Sequence, residues 1–156
     1  MRRCAGIALL SLLLPLQAAA TPAPGFEAKT LAGTTVRLQD YRGQFVLLDF
    51  WSSWCGACRA ELPRLAVLER EVDGLVVLTV NLGEEPERIR GFAGKVTLPR
   101  HVLLDPEGAI AERFAVPALP WQVLVDRNGT IVRQGRRVHD GAEALRREIA
   151  ATGGKR

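Results

Sequence analysis

The apolar positions of this chain follow two different periods. Phe45-Val46-Leu47-Leu48-Asp49-Phe50-Trp51 is a continuous apolar run broken by one acid, the pattern of a central strand buried on both faces. After it, Leu62, Leu65, Ala66 and Leu68 recur at helical spacing and predict an amphipathic helix over 56–71, stopped before Asp73-Gly74. Pro63 inside it removes one backbone hydrogen bond and is expected to kink it. Residues 75–82 predict a second buried strand, and the acidic start Glu84-Glu85-Pro86-Glu87 leads into helical spacing through Ile89 and Phe92. A short strand over 101–104 and a short helix over 108–114 follow. Residues 121–125 and 130–133 flank Asp126-Arg127-Asn128-Gly129, whose Asn-Gly predicts an antiparallel hairpin. A last helix over 141–151 carries Ala144, Leu145 and Ile149 as its apolar stripe and ends at Gly153-Gly154. Upstream, Val36 and Leu38 alternate with Arg37 as in a half-buried strand after a turn at Ala32-Gly33. Strands alternating with helices and closing on a hairpin predict an α/β fold, a mixed central sheet with helices on both faces.

The first twenty residues break these patterns. Met1-Arg2-Arg3 is a positive n-region, residues 5–16 are apolar, and Ala18-Ala19-Ala20 offers a small-residue cleavage site, so residues 1–20 read as a secretory signal peptide. As an uncleaved anchor the stretch is short of the ~20 residues a spanning helix needs, and it holds Pro15. Residues 21–25 carry two prolines and no periodicity, which predicts an extended tether, with the folded domain running over 26–156.

At 156 residues with 47% hydrophobic and 24% charged positions, one core is expected. The net charge of +4 is spread among acids, and loss of the leader removes two arginines and no acid. This gives no electrostatic footprint for nucleic acid. Arg133, Arg136, Arg137 and His139 read as a solvated basic cluster, and His101 as a structural histidine.

With Cys4 inside the leader, only Cys55 and Cys58 remain, spaced CxxC where a buried strand becomes a helix. The first sulfur is then at the helix N-terminus and the second one turn inside. Unpaired backbone N–H groups and the positive end of the helix dipole lower the pKa of Cys55 and make it the nucleophile, with the shielded Cys58 resolving. A structural disulfide is the first competing reading, but so short a loop contributes roughly 2 kcal/mol against about 3 for a fifteen-residue loop. Zinc lacks a second half-site beside the distant His101 and His139, and copper lacks soft ligands in a chain with one Met. No separate peroxidatic Thr-x-x-Cys is present. Thiol–disulfide exchange is the reading carried forward, with the Cys55–Cys58 disulfide as the redox group and no other cofactor or metal.

The segment Asp49-Phe50-Trp51-Ser52-Ser53-Trp54-Cys55-Gly56-Ala57-Cys58, with Pro63 in the helix, resembles the active-site segment of thioredoxins. With Pro24-Gly25-Phe26, Val80-Asn81-Leu82-Gly83-Glu84 and Leu119-Pro120 it looks like the exported thioredoxin-like reductases of the TlpA, ResA and CcmG group, over nearly all of 24–152. The resemblance implies a thioredoxin-like fold with an insertion over about 83–116. It also implies a monomer, periplasmic or membrane-tethered, that reduces selected proteins of cytochrome c or oxidase biogenesis through a transient mixed disulfide and is re-reduced by a membrane donor. An oxidase or isomerase of the same fold, and a metallochaperone-like binding domain, remain the alternatives.

The resemblance also implies roles for single residues. Pro120 is the expected cis-proline facing the disulfide, with the Leu119 backbone pairing to a bound partner, while Pro99 and Pro117 read as loop prolines. Asp49 matches a buried acid–base group that deprotonates Cys58 through a water or directly; a hydrogen-bonded structural carboxylate is the other reading. Glu84 matches an acidic residue tuning the site, and equally fits a helix N-terminus. Trp54, Gly56, Ala57 and Trp121 are expected on the docking surface, and Trp51 in the core. Ala57 stands where the group commonly has proline, and Trp121 where it has a small hydroxyl residue.

Overall fold

A computed structural model describes residues 21–152. The leader over 1–20, Cys4 within it and the stop at Gly153-Gly154 lie outside the described residues. In chain order the elements are β1 (Thr21–Pro22), β2 (Glu27–Lys29), β3 (Thr35–Arg37), a 3-10 turn (Leu38–Tyr41), β4 (Phe45–Trp51), α1 (Gly56–Glu71), β5 (Leu75–Leu82), α2 (Pro86–Ala93), β6 (His101–Asp105), α3 (Ala109–Arg113), β7 (Trp121–Val125), β8 (Thr130–Gly135) and α4 (Ala142–Thr152).

Six strands form one sheet in the order β1-β8-β7-β4-β5-β6. β4, β5 and β6 run parallel, as crossover connections through α1 and α2 require, while β7, β8 and β1 run antiparallel. All seven residues of β4 are buried, because it has a strand on each edge and packed side chains on each face. Val46, Leu48 and Phe50 join Leu78, Val80, Val123, Ile110 and Phe114 on the face covered by α3 and the β2–β3 hairpin. Phe45 and Leu47 meet Leu65, Leu68, Leu124, Leu145 and Ile149 on the opposite face, under α1 and α4. Each fully buried Leu or Phe contributes roughly 2 kcal/mol of transfer free energy. The period of two therefore turns Asp49 toward α1, the helix that Cys55 caps and that carries Cys58.

Residues 21–25, expected as an extended tether, are extended and also tied down. Thr21 and Pro22 pair with Ile131 and Thr130 of β8, the Ala23 N–H donates to the Gly129 carbonyl, and Arg113 donates to the Gly25 carbonyl. The composition correctly indicated an extended segment; the open edge of β8 supplies backbone partners that no local pattern reveals. Leu38, read as part of a strand, is buried in the 3-10 turn, where its N–H donates to Phe26. No helix among the described residues is long and apolar enough to cross a membrane.

Candidate active site

β4 delivers the chain to the site and α1 begins there. Cys55 is the N-cap of α1, and its Sγ accepts the Cys58 N–H at 3.2 Å. The sulfur thus occupies the position where a capping oxygen would satisfy an orphan N–H, and the first turn of α1 contains no acid to oppose a negative sulfur. Cys55 and Cys58 are joined as a disulfide. Cys55 retains 8% exposure and Cys58 none, which leaves Cys55 as the sulfur a partner can reach. Around them pack Trp51, Leu62, Ile89 and Val102.

The loop between β4 and α1 is held from below by Glu84. Its Oε2 accepts the Ser53 N–H at 2.6 Å and Asn81 Nδ2 at 2.8 Å, and its Oε1 accepts Ser53 Oγ at 2.6 Å and Arg88 Nε at 2.7 Å. Gly83, at φ 68°, makes the left-handed turn that brings Glu84 back under this loop. Burial pushes the Glu84 carboxyl up, but the donors from Ser53, Asn81 and Arg88 outweigh it and hold the group below the usual carboxylate range. Glu84 is therefore an ionised anchor for Ser53, two residues before Cys55. It is not a cap of α2, whose N-cap is Glu85.

Asp49 is fully buried, and its carboxyl is pushed up to about 7. Desolvation is the main cause; a hydrogen bond from Gln122 works against it, and the nearby charge of Glu61 adds to it. Gln122 Nε2 donates to Asp49 Oδ1 at 3.0 Å, whereas Oδ2 has no partner among the described residues.

Glu61 and Gln122 are the residues that reading the sequence missed. Glu61 is buried on α1, accepts Arg137 Nη2 at 2.6 Å, and lies 3.3 Å from His139 Nε2. The His139 imidazole is held below its ordinary value, by burial above all, and its Nδ1 accepts the Gly141 N–H. The basic cluster read as solvated is thus half structural: Arg137 and buried His139 clasp an acid of α1. Two signals were available, an acid three residues after Cys58 on the apolar face of the helix and a lone amide in an apolar strand.

The Leu119–Pro120 peptide bond is cis, and both residues are half-buried. Leu119 packs against the same cluster as the two cysteines. It also lines an open groove of about 490 Å³ with Ser52, Trp54, Leu82 and Ala118. Trp54 is 67% exposed and Gly56 and Ala57 are exposed, whereas Trp51 is buried against Phe92. Trp121 directly follows Pro120. It faces Phe50 across β4 and β7 and packs half-buried on the core, with its indole Nε1 enclosed. Among the described residues no three His, Cys, Asp or Glu side chains come together as a metal cradle.

Residues 19–134 match the AhpC/TSA family. The chain is 39% identical over 113 residues to the thioredoxin-like protein YneN of Bacillus subtilis (strain 168), covering 70% of this chain and 66% of that protein. To the thiol-disulfide oxidoreductase ResA of Geobacillus thermodenitrificans (strain NG80-2) it is 34% identical over 116 residues, covering 73% and 67%. The chain thus spans about two thirds of the length of these relatives. In structure it is similar to a Chlorobium tepidum protein assigned as thiol:disulfide interchange protein DsbE, with TM-score 0.75, 34% identity and coverage of 86% of this chain and 97% of that one. The chain belongs to the AhpC/TSA family, and its β4–α1 junction carries the thioredoxin-fold CxxC site of the family's thiol-disulfide oxidoreductases.

Proposed function

We propose that this protein is an extracytoplasmic protein-disulfide reductase whose partners are proteins of the cytochrome c or oxidase biogenesis type. The observation that carries the reading is the unequal pair: Cys55, reachable and capped on α1, beside Cys58, which is shut away. The export pattern of residues 1–20 and the resemblance to exported reductases support the location and the direction.

In the dithiol form the Cys55 thiolate attacks one sulfur of a partner disulfide; that S–S bond breaks and the departing partner thiolate takes a proton. The protein and partner are then joined by a mixed disulfide. Asp49 takes the proton of Cys58, and the Cys58 thiolate attacks Cys55 Sγ, forming the intramolecular disulfide and releasing the partner's second thiolate. Two electrons have passed to the partner. A membrane dithiol donor restores the pair by the reverse exchange. A carboxyl whose pKa burial has raised to about 7 suits this proton transfer.

Cys58→Ser removes the resolving thiol, so that protein is expected to accumulate mixed disulfides with its partners, and Cys55→Ser to form none. The reduction potential, measured by equilibration with glutathione, is expected well below that of an oxidising compartment's glutathione pool. A potential equal to that pool, or tight stoichiometric copper binding without disulfide reduction, would overturn the reading.

A further inference from the structure

We propose that the groove between the first turns of α1 and helix α2 docks an acidic stretch of the protein whose disulfide Cys55 attacks, which deepens and rests on the reductase reading. This groove measures about 570 Å³ and is separate from the one lined by Trp54 and Leu119. Arg59, Arg88 and Lys95 line it, Phe92 and Val96 give it an apolar floor, and its nearest acid is Glu84, behind Ser53 and Arg88. Ser53 lies on its wall, two residues before Cys55.

The three cations are not equivalent. Arg88 spends part of its charge on Glu84, while among the described residues neither Arg59 nor Lys95 has an ion-pair partner. Arg59 also sits near the start of α1, where the helix dipole disfavours a cation. Uncompensated cations collected over apolar side chains complement an anionic, partly apolar occupant. The groove lined by Ser52 and Trp54 has a different character. Trp54, Leu82, Leu119 and Ala118 make it apolar, and its charged residue is Glu107. A polypeptide crossing Cys55 therefore meets a basic flank on one side and an apolar flank with one acid on the other, which orients it. The basic groove adjoins the nucleophile's loop, so its occupant is a segment of the molecule that presents the disulfide.

The test uses the full chain, reduced and desalted, with two fluorescein-labelled peptides. Each carries one internal disulfide and they differ in one flank, Asp-Leu-Asp or Lys-Leu-Lys. The expected second-order rate of reduction is about tenfold higher for the acidic peptide at low salt, shrinking as ionic strength rises. Lys95→Glu, remote in sequence from the cysteines, is expected to bring the ratio to about one or invert it. Equal rates in the unsubstituted protein, or a preference that survives Lys95→Glu, overturn the docking proposal while leaving the reductase reading intact. If neither peptide is reduced, the reductase reading fails instead. Docking is then decided by fluorescence anisotropy with the Cys55→Ser/Cys58→Ser protein: tighter binding of the acidic peptide, lost in Lys95→Glu, supports it, and equal binding overturns it. Lys95-dependent binding to phosphatidylglycerol vesicles with no peptide preference assigns the groove to a membrane surface and overturns it as well.

Discussion

Gln122 stands directly across from Asp49 in the antiparallel register of β7 and β4, and both ends of its amide are engaged: Nε2 donates to Asp49 Oδ1 at 3.0 Å while Oε1 accepts the Val138 N–H at 3.1 Å. The bond favours the ionised carboxyl, so it restrains a pKa that burial has raised. Gln122→Leu is therefore expected to move the pH inflection of Cys58 attack upward by about one to two units, since a bond to a charged group contributes about 1.5–3 kcal/mol. Stopped-flow decay of the mixed disulfide across pH 5 to about 10 reads this directly. An unmoved inflection would separate Asp49 from the proton transfer.

Glu61 acts in the other direction. Its charge raises the Asp49 pKa, so Glu61→Gln is expected to lower the same inflection, toward greater Cys58 attack at slightly acidic pH. The substitution also loosens the Arg137 and His139 contacts and is expected to cost about 1–3 kcal/mol in urea unfolding. Opposite shifts from two neighbours of one carboxyl are difficult to obtain from general destabilisation.

For Asp49 itself, the folded state binds more protons than the unfolded chain between the ordinary value of 3.8 and about 7. Stability accordingly falls as pH rises through that window, and the full cost of the buried charge is present above it. Asp49→Asn is expected to be more stable than the parent at pH 8, by an amount approaching about 3–4 kcal/mol, and nearly as stable at pH 4. It is also expected to slow release of the mixed disulfide by about tenfold to a hundredfold. Paired urea titrations at the two pH values check the first, and stopped-flow the second. A variant that loses stability at pH 8 would contradict it.

Glu84→Ala removes the acceptor for Ser53 N–H, Ser53 Oγ, Asn81 Nδ2 and Arg88 Nε together. A loss of about 2–4 kcal/mol is expected from the stranded donors. Because the group's pKa is depressed, its stabilisation is present above the usual carboxylate range and is lost as pH falls through the folded value, so the penalty shrinks in acid. The reaction of Cys55 with a small aromatic disulfide is expected to slow as the Ser53 loop loosens. Parent-like stability at pH 7 with unchanged thiol reactivity would remove Glu84 from this role.

The fold was legible where a pattern is local. The burial of β4, the bounds of α1 and β5, and the β7–β8 hairpin follow from apolar periodicity and Asn-Gly, because each depends on residues within a few positions of one another. The pairing of Thr21 and Pro22 with β8 did not follow, because an edge strand recruits backbone, which leaves little trace in side-chain pattern. In the site, the strand-to-helix pattern placed Cys55 at the start of α1 with Cys58 shielded inside it, and the structure has Trp54 exposed and the Leu119–Pro120 bond cis. Trp121, expected beside the partner, is taken up by packing across from Phe50.

What the sequence by itself determined is the dithiol and the order of its sulfurs, since a strand, a CxxC and a helix in succession put one sulfur at a helix N-terminus and the other a turn inside. What only the tertiary structure decided is the setting of the carboxylates. Glu84 is silenced as an anchor under Ser53, whereas Asp49 is left protonatable between Gln122 and Glu61. The cause is distance along the chain for the deciding partners: Ser53 of the loop after β4 reaches Glu84, and Gln122 of β7 and Glu61 of α1 act on Asp49, and only the tertiary arrangement brings them within hydrogen-bond or Coulombic reach.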